Sequence, residues 1–136
     1  MSADVFLDSN VLIYAISADD PRAAIATGLV AQGGKISVQV LNEFANVARR
    51  KLLRSWPDIA EALAAFRMLC ADPLPLTVAT HEAALTIAAD GQLSFYDSLI
   101  VASALEAGCT TLLSEDMQDG RTFDGRLTIR NPFADV

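Results

Sequence analysis

The chain has 136 residues, 52% of them hydrophobic, and a formal net charge of −7 at pH 7. This length and composition exclude a disordered chain and predict one domain, residues 1–136, with a dense core. No apolar run approaches the ~20 residues of a membrane helix and the N-terminus carries no export signal, so we expect a cytoplasmic protein without a membrane segment.

The acidic charge balance also bears on function. Proteins that coat nucleic acid are usually basic, so a general nucleic-acid-coating role is disfavoured. A nuclease is not excluded, because acidic groups that hold a cation change the field that a substrate meets.

The first half of the chain is predicted as strand, two helices, strand and a long helix. Glycines at 33 and 34 separate the second helix from the second strand, and apolar residues at helical spacing mark the long helix. The elements in order are a strand over Asp4–Leu7, helices over Val11–Tyr14 and from Pro21 to Ala31, a strand over Lys35–Val38 and a helix over Gln39–Leu53.

The second half begins after a predicted break at Trp56 and Pro57. Gly91 and Gly108 are expected to end two of its helices. The elements in order are helices over Asp58–Cys70, His81–Ala89 and Ser94–Ala107, a strand over Thr110–Leu113, a polar turn-rich segment over Glu115–Gly125 and an edge strand over Leu127–Ile129.

Strands that alternate with helices require right-handed crossovers and favour parallel pairing. The chain contains no internal repeat, low-complexity tract or linker. We therefore predict an α/β fold of three αβα layers around a mostly parallel central sheet. In such a sheet, ligands gather beyond the carboxyl ends of the strands.

Four acidic residues are placed to meet at that edge. Asp8 closes the first strand, Glu43 lies early in the helix after the second, Asp97 lies in the first turn of a later helix, and Asp116 follows the Thr110–Leu113 strand. Carboxylates repel one another, and the commonest reason to gather them is a hard divalent cation. The pattern predicts metal-dependent phosphodiester chemistry.

Each acid also has a structural interpretation. Asp97 has capping-box spacing from Ser94, Asp8 could cap the following helix, Glu43 could be an exposed helix residue, and Asp116 could serve a turn. Taken singly, these interpretations are favoured for most of the four. Taken together, they must explain four coincidences.

Other metal-binding residue types are scarce. Cys70 and Cys109 are isolated and have no CxxC spacing, so we expect buried thiols, neither a disulfide nor a zinc site. His81 is the only histidine and cannot form a histidine cluster. An oxygen-only set of ligands suits Mg²⁺, with Mn²⁺ as a substitute.

Four segments, in this order and in a chain of this length, resemble those of PIN-domain ribonucleases of the VapC toxin type. The resemblance runs from Val5 to about Phe133. The segments are FLDSNVLIY, VQVLNEF, FYDSLIVASAL and LLSEDMQDG. The resemblance implies a PIN-like fold and a Mg²⁺-dependent endoribonuclease that acts as the toxin of a toxin–antitoxin pair.

The resemblance also implies a role for each matching residue. Asp8 and Asp97 match direct metal ligands, and Glu43 and Asp116 match water-mediated or second-site ligands, so all four are the expected catalytic acids. Two polar residues match supporting positions, and a nearby acid is an alternative to the fourth. These are Asn10 and Ser114 as supports, and Asp119 as the alternative to Asp116.

Binding partners are expected on the same basis. Single-stranded RNA is the substrate, and Arg49, Arg50 and Lys51 could contact its phosphates, although a solvated helix end is an equal alternative for this basic group. The resemblance further implies a VapB-like antitoxin whose tail occupies the acidic cleft, and a homodimer formed through the early helices.

The same residues bear on several other functions of small α/β domains. A receiver domain would need an Asp pair after the first strand and a lysine after the last, and a phosphatase would need DxD where the chain has DSN; neither pattern is present. A PIN nuclease of RNA maturation or quality control, without an antitoxin, stays open. So does a PIN-like module that binds RNA or protein without cutting it, although the presence of all four acids disfavours it.

Overall fold

The computed structural model describes residues 4–136, so residues 1–3 of the predicted domain lie outside the described residues. Within this range the chain forms six helices and four strands. In chain order they are β1 (Val5–Leu7), α1 (Ser9–Ala15), α2 (Ala23–Ala31), α3 (Val38–Arg50), α4 (Trp56–Leu69), α5 (Val78–Gly91), α6 (Phe95–Glu106), β2 (Thr111–Leu113), β3 (Thr122–Phe123) and β4 (Leu127–Arg130).

The four strands form one sheet in the order β1-β2-β4-β3. Strand β2 pairs in parallel with β1 and with β4, and only β3 pairs antiparallel, against β4. Helices α1 to α4 pack on one another, and α5 packs on α6, which also contacts α3. The predicted three-layer α/β class with a mostly parallel sheet is confirmed.

The sheet and helices enclose a continuous apolar core. Its largest side chains are all less than 2% exposed, and they come from strands, helices and the segment before α3 alike. They include Phe6, Leu7, Leu12, Ile36, Phe44, Ile100, Leu112, Leu127 and Ile129. No helix in residues 4–136 is both long enough and apolar enough to span a membrane.

Two strand predictions need correction. The strand expected over Lys35–Val38 makes only isolated parallel bridges, from Lys35 to Phe6 and from Ser37 to Leu74. The extended run is short because the Ser37 hydroxyl accepts a hydrogen bond from the Val40 N–H at 3.3 Å, which starts α3 at Val38. The segment Leu127–Ile129 is not an edge strand, because β3 covers its outer side.

Two helix starts also differ from the prediction. The predicted break at Trp56 and Pro57 is the first turn of α4, since the Ser55 hydroxyl caps that helix and proline is tolerated at such a position. Helix α5 begins before His81, because Thr77 caps it at Val78. The predicted end of α6 is confirmed, since Gly108 follows it at φ +73°.

Candidate active site

Asp8 lies at the carboxyl end of β1 and is 1% exposed. Its backbone N–H donates to the Leu113 carbonyl at 3.0 Å, which continues the β1–β2 pairing. One side-chain oxygen accepts from the Ser9 N–H at 2.7 Å, and the other accepts from the Ser114 hydroxyl at 2.7 Å. Asp8 is thus the N-cap of α1 and, at the same time, the most deeply buried carboxyl of the edge.

Burial raises the pKa of Asp8 from an ordinary value of 3.8 to about 7. The negative charges of Glu43 and Asp97 act in the same direction, whereas the hydrogen bonds from Ser114 and Ser9 lower the pKa. A carboxyl that titrates near neutrality is a common property of functional sites.

Glu43 lies in the second turn of α3 and is half-buried. Its Oε1 accepts from the Ser9 hydroxyl at 3.0 Å, and its Oε2 accepts from the Gln39 side-chain amide at 3.0 Å. Burial raises the pKa of Glu43, and the charges of Asp97 and Asp116 raise it further, against the two hydrogen bonds. The two side-chain contacts hold Glu43 toward α1.

Asp97 lies in the first turn of α6, where its backbone N–H donates to the Ser94 hydroxyl at 3.1 Å. Ser94 is therefore the capping residue, as the capping-box spacing predicted. Burial raises the pKa of the Asp97 carboxyl, with a further contribution from the charge of Asp116. Asp97 can serve both roles, because its backbone N–H takes part in the helix cap and its carboxyl belongs to the acidic group.

Asn10 connects Asp8 to Asp116. Its side-chain amide donates to Asp116 Oδ2 at 3.2 Å and approaches Asp8 Oδ2 at 3.4 Å. Ser114 completes the connection, since its hydroxyl donates to Asp8 and accepts from the Asp116 N–H at 3.1 Å. Asp119 is turned elsewhere, because its Oδ1 accepts from the Asn131 N–H at 2.9 Å.

The four predicted acids therefore lie at one edge of the sheet and interact electrostatically. No ion pair in residues 4–136 joins any of the four to a lysine or arginine. Across the same residues, no three His, Cys, Asp or Glu side chains are grouped closely enough to coordinate one ion as they stand. Like-charge repulsion opposes a closer approach.

The predicted basic group is only partly available. The guanidinium of Arg49 donates to the Arg54 carbonyl at 3.1 Å and lies 5.0 Å from the centroid of the Trp56 ring. Arg50 and Lys51 are exposed at the end of α3. Their role in phosphate binding stays a prediction.

Both cysteines are buried, as expected.

Three polar contacts of the site were not foreseen. Ser9 was given no role in the site from the sequence, and Gln39 was predicted only as the start of the long helix. Gln39 had a readable signal, because it precedes Glu43 by four residues on the same helical face. The third contact is an ion-pair network around Arg22, whose partner Glu115 is 93 positions away and leaves no local signal.

In this network, Arg22 is held by two carboxylates and one aromatic ring. Its guanidinium donates to Glu115 at 2.9 Å and to Asp20 at 2.8 Å, and lies 4.0 Å from the centroid of the Tyr14 ring. The Tyr14 hydroxyl also donates to Glu115. Hydrogen bonding to Arg22 lowers the pKa of Asp20 to about 2.

The network bears on the site through Glu115, whose backbone N–H donates to Asn10 Oδ1 at 3.2 Å. Burial and the hydrogen bond to Glu115 raise the pKa of Tyr14 to about 12, so Tyr14 stays a hydrogen-bond donor at neutral pH. Arg22 and Tyr14 thus hold the Glu115 carboxylate, and the Glu115 backbone in turn contacts Asn10 beside Asp116.

We expect Arg22→Met to lower the melting temperature by a few degrees and to weaken the stabilisation that the predicted Mg²⁺ ion would give. The substitution leaves Glu115 without its cation, so the loop that orients Asn10 is released. Melting curves at several Mg²⁺ concentrations measure both effects. Arg126→Met is the control, because its 3.8 Å ion pair with Asp124 is exposed. Equal curves for the two variants would contradict the expectation.

No curated protein matches the sequence. Several solved structures match the fold. The toxin–antitoxin complex from Klebsiella pneumoniae has a TM-score of 0.69 at 16% identity, over 94% of this chain and 97% of that one. VapBC2 from Rickettsia felis, bound to a DNA fragment from its promoter, has a TM-score of 0.67 at 18% identity, over 93% and 97%.

A third structure is Mycobacterium tuberculosis VapC20, a toxin that cleaves the sarcin–ricin loop. Its TM-score is 0.68 at 22% identity, over 82% of this chain and 91% of that one. Identities this low carry the fold only. The sequence model of the PIN domain matches residues 5–118, which include all four acids. Because this match covers most of the sequence, the chain belongs to the PIN domain family.

Proposed function

We propose that this chain is a metal-dependent endoribonuclease that hydrolyses RNA phosphodiester bonds and acts as the toxin of a VapBC-type pair. The observation that carries the proposal is Asp8, a buried carboxyl with a pKa near 7 at the sheet edge that Glu43, Asp97 and Asp116 share. Such a group of acids has no packing purpose, because each buried carboxylate costs desolvation free energy.

The donor chemistry of the side chains at this edge suits a Mg²⁺ ion, with Mn²⁺ as a substitute. All four proposed ligands offer carboxylate oxygen, and no histidine or cysteine is among them, which is the donor set that these hard cations prefer. Asp8 and Asp97 would hold the ion directly, and Glu43 and Asp116 through water or at a second site. When bound, the cation activates water and offsets charge on the phosphate.

The remaining site residues orient the acids. Ser114 and Asn10 fix the rotamers of Asp8 and Asp116, and Ser9 and Gln39 fix Glu43. Hydrogen bonds of this kind position carboxylates for a cation and for substrate. No serine or cysteine nucleophile is required. The donors that orient the acids are uncharged. They therefore do not neutralise the carboxylates, whose negative charge can attract a metal ion.

Two of the structural neighbours are toxin–antitoxin complexes, which supports an antitoxin partner. We propose a VapB-like antitoxin that covers the acidic cleft, a homodimer that packs through the early helices, and a cytoplasmic location. Arg50 and Lys51, which are exposed, are the proposed phosphate contacts of the RNA, together with Arg49.

The test is cleavage of a mixed single-stranded RNA with Mg²⁺, with Mn²⁺ and with EDTA. We expect cleavage with either metal and none with EDTA. Asp97→Asn and Asp116→Asn should each remove most activity, whereas Asp119→Asn should keep it, because the Asp119 carboxylate accepts from the Asn131 N–H and contacts none of the four acids. EDTA-resistant cleavage would overturn the metal mechanism.

The same assay separates the alternatives. RNA that is bound and never cut would favour a non-catalytic PIN-like module. Loss of activity in Asp119→Asn, with activity kept in Asp116→Asn, would make Asp119 the fourth acid in place of Asp116. Co-expression with the product of an adjacent small gene tests the antitoxin, since growth arrest that it does not relieve would favour a nuclease of RNA maturation or quality control.

A further inference from the structure

A polar cleft opens beside Glu43, between helices α3 and α6. It has a volume of about 320 Å³ and is lined by Gln39, Asn42, Glu43, Asn46 and Tyr96. The four α3 residues follow the spacing i, i+3, i+4 and i+7, so they share one face of that helix. Tyr96 directly precedes Asp97 in α6. We call this space the Tyr96 cleft; it shares Glu43 with the acidic edge.

Tyr96 presents an open ring to the cleft. Tyr96 is 63% exposed to solvent, which is high for an aromatic residue. Its only ring contact in residues 4–136 is a tilted one with Phe95, at 5.9 Å between centroids. An exposed aromatic ring beside a nuclease edge is the platform on which unpaired bases stack.

Asn42 and Asn46 supply hydrogen-bonding groups on the opposite wall. Both are exposed, and neither side chain has a hydrogen-bond partner among residues 4–136. Each carboxamide offers a donor and an acceptor, which suits the edge of a base. Gln39 differs, because its amide already donates to Glu43. The two asparagines are therefore the groups left to pair with a ligand.

The charge of the cleft excludes a phosphate as its occupant. None of the five lining residues is basic, and Glu43 adds negative charge. A phosphate there would be repelled, whereas a neutral base would not. Ring, carboxamides and charge together describe a site for a flat, neutral group that carries both donors and acceptors.

We infer that the Tyr96 cleft binds one unpaired base of the RNA next to the phosphate that is cut. The base stacks on Tyr96 and pairs with Asn42 and Asn46. This inference rests on the proposed ribonuclease activity and adds the contact that selects which bases flank the cleaved bond. Selection by one base explains how an acidic protein binds RNA with few phosphate contacts.

The test compares variants on a short single-stranded RNA library, with the cleaved ends sequenced and KM and kcat measured. Tyr96→Ala should raise KM roughly tenfold and keep kcat within about twofold, because stacking contributes to binding. Tyr96→Phe should keep the wild-type KM, since the ring remains. Asn42→Ala combined with Asn46→Ala should flatten the base preference of the wild type.

Gln32→Ala is the matched control, because Gln32 is an exposed carboxamide beyond α2, away from the cleft. Wild-type base preference and KM in both Tyr96→Ala and the double asparagine variant would overturn the inference. So would a fall in kcat at unchanged KM in Tyr96→Ala, which would mean that Tyr96 only positions Asp97. Absence of any base preference in the wild type would overturn it as well.

A wild type that cuts no RNA would defeat the proposed function first. The cleft is then tested by fluorescence anisotropy of a labelled single-stranded oligonucleotide. Weaker binding by Tyr96→Ala and by the double asparagine variant, with unchanged binding by Gln32→Ala, would support the cleft. Equal binding by all variants, or none by the wild type, would overturn it.

Discussion

Asp8→Asn is expected to reduce metal-dependent RNA cleavage by more than the roughly 100-fold that follows loss of a residue that only orients a metal ligand. Asparagine has nearly the same shape and keeps one oxygen to accept from the Ser9 N–H, so the local fold survives. It has no negative charge, so the proposed metal loses its most deeply buried ligand. Initial rates at saturating Mg²⁺ measure the effect.

Stability separates loss of the site from loss of the fold. In EDTA at about pH 8, we expect Asp8→Asn to melt at or above the wild-type temperature, because it removes a buried charge that Glu43 and Asp97 repel. Asp19→Asn, at an exposed acid, is the control and should cleave at the wild-type rate. Activity of Asp8→Asn within tenfold of the wild type would remove Asp8 from the site.

The second large effect is a dependence of stability on pH that Mg²⁺ reverses. Between pH 3.8 and about 7, Asp8 keeps its proton in the folded protein and loses it in the unfolded chain. The unfolded state then binds fewer protons, so the free energy of unfolding falls as pH rises through this window. The contribution is fully present below pH 3.8 and is lost above pH 7.

The size of this effect follows from the shift in the pKa of Asp8, from 3.8 to about 7. At 1.36 kcal/mol per pKa unit, the contribution of Asp8 alone is on the order of 4 kcal/mol. Burial shifts Glu43 and Asp97 in the same direction. The proposed Mg²⁺ ion would bind the deprotonated carboxylates, so millimolar Mg²⁺ should stabilise the protein most at pH 8 and least at pH 5.

Melting curves at about pH 5, 6, 7 and 8, with EDTA or with Mg²⁺, test this expectation. The wild type in EDTA should melt at lower temperature as pH rises, and Asp8→Asn should lose most of that slope. A melting temperature in EDTA that rises from pH 5 to pH 8 would contradict the expectation that Asp8 keeps its proton in the folded protein. Curves that Mg²⁺ leaves unchanged at pH 8 would count against the metal site.

Much of the fold was readable from local signals. The capping serine before α6 and the glycine after it predicted that helix to within a residue at each end. The errors arose where a distant segment decides the structure. Strand β4 was predicted at an edge, yet β3 pairs outside it, and a two-residue strand inside a polar segment has no pattern of its own.

The candidate site was predicted in the same uneven way. The positions of Asp8, Glu43, Asp97 and Asp116 at one edge follow from strand ends and helix starts, which are local features. The supporting contacts do not. Ser9 meets Glu43 across 34 positions of the chain and Arg22 meets Glu115 across 93, so only packing brings each pair together.

By itself, the sequence determined the α/β class, the order of its helices, the strands β1, β2 and β4, and the positions of the four acids with their family. The protonation of Asp8, the neutral donors that orient the acids and the open face of Tyr96 were decided by the tertiary structure. The physical reason is that a pKa and a side-chain contact depend on what is buried beside a group, and burial is set by segments far apart in the chain.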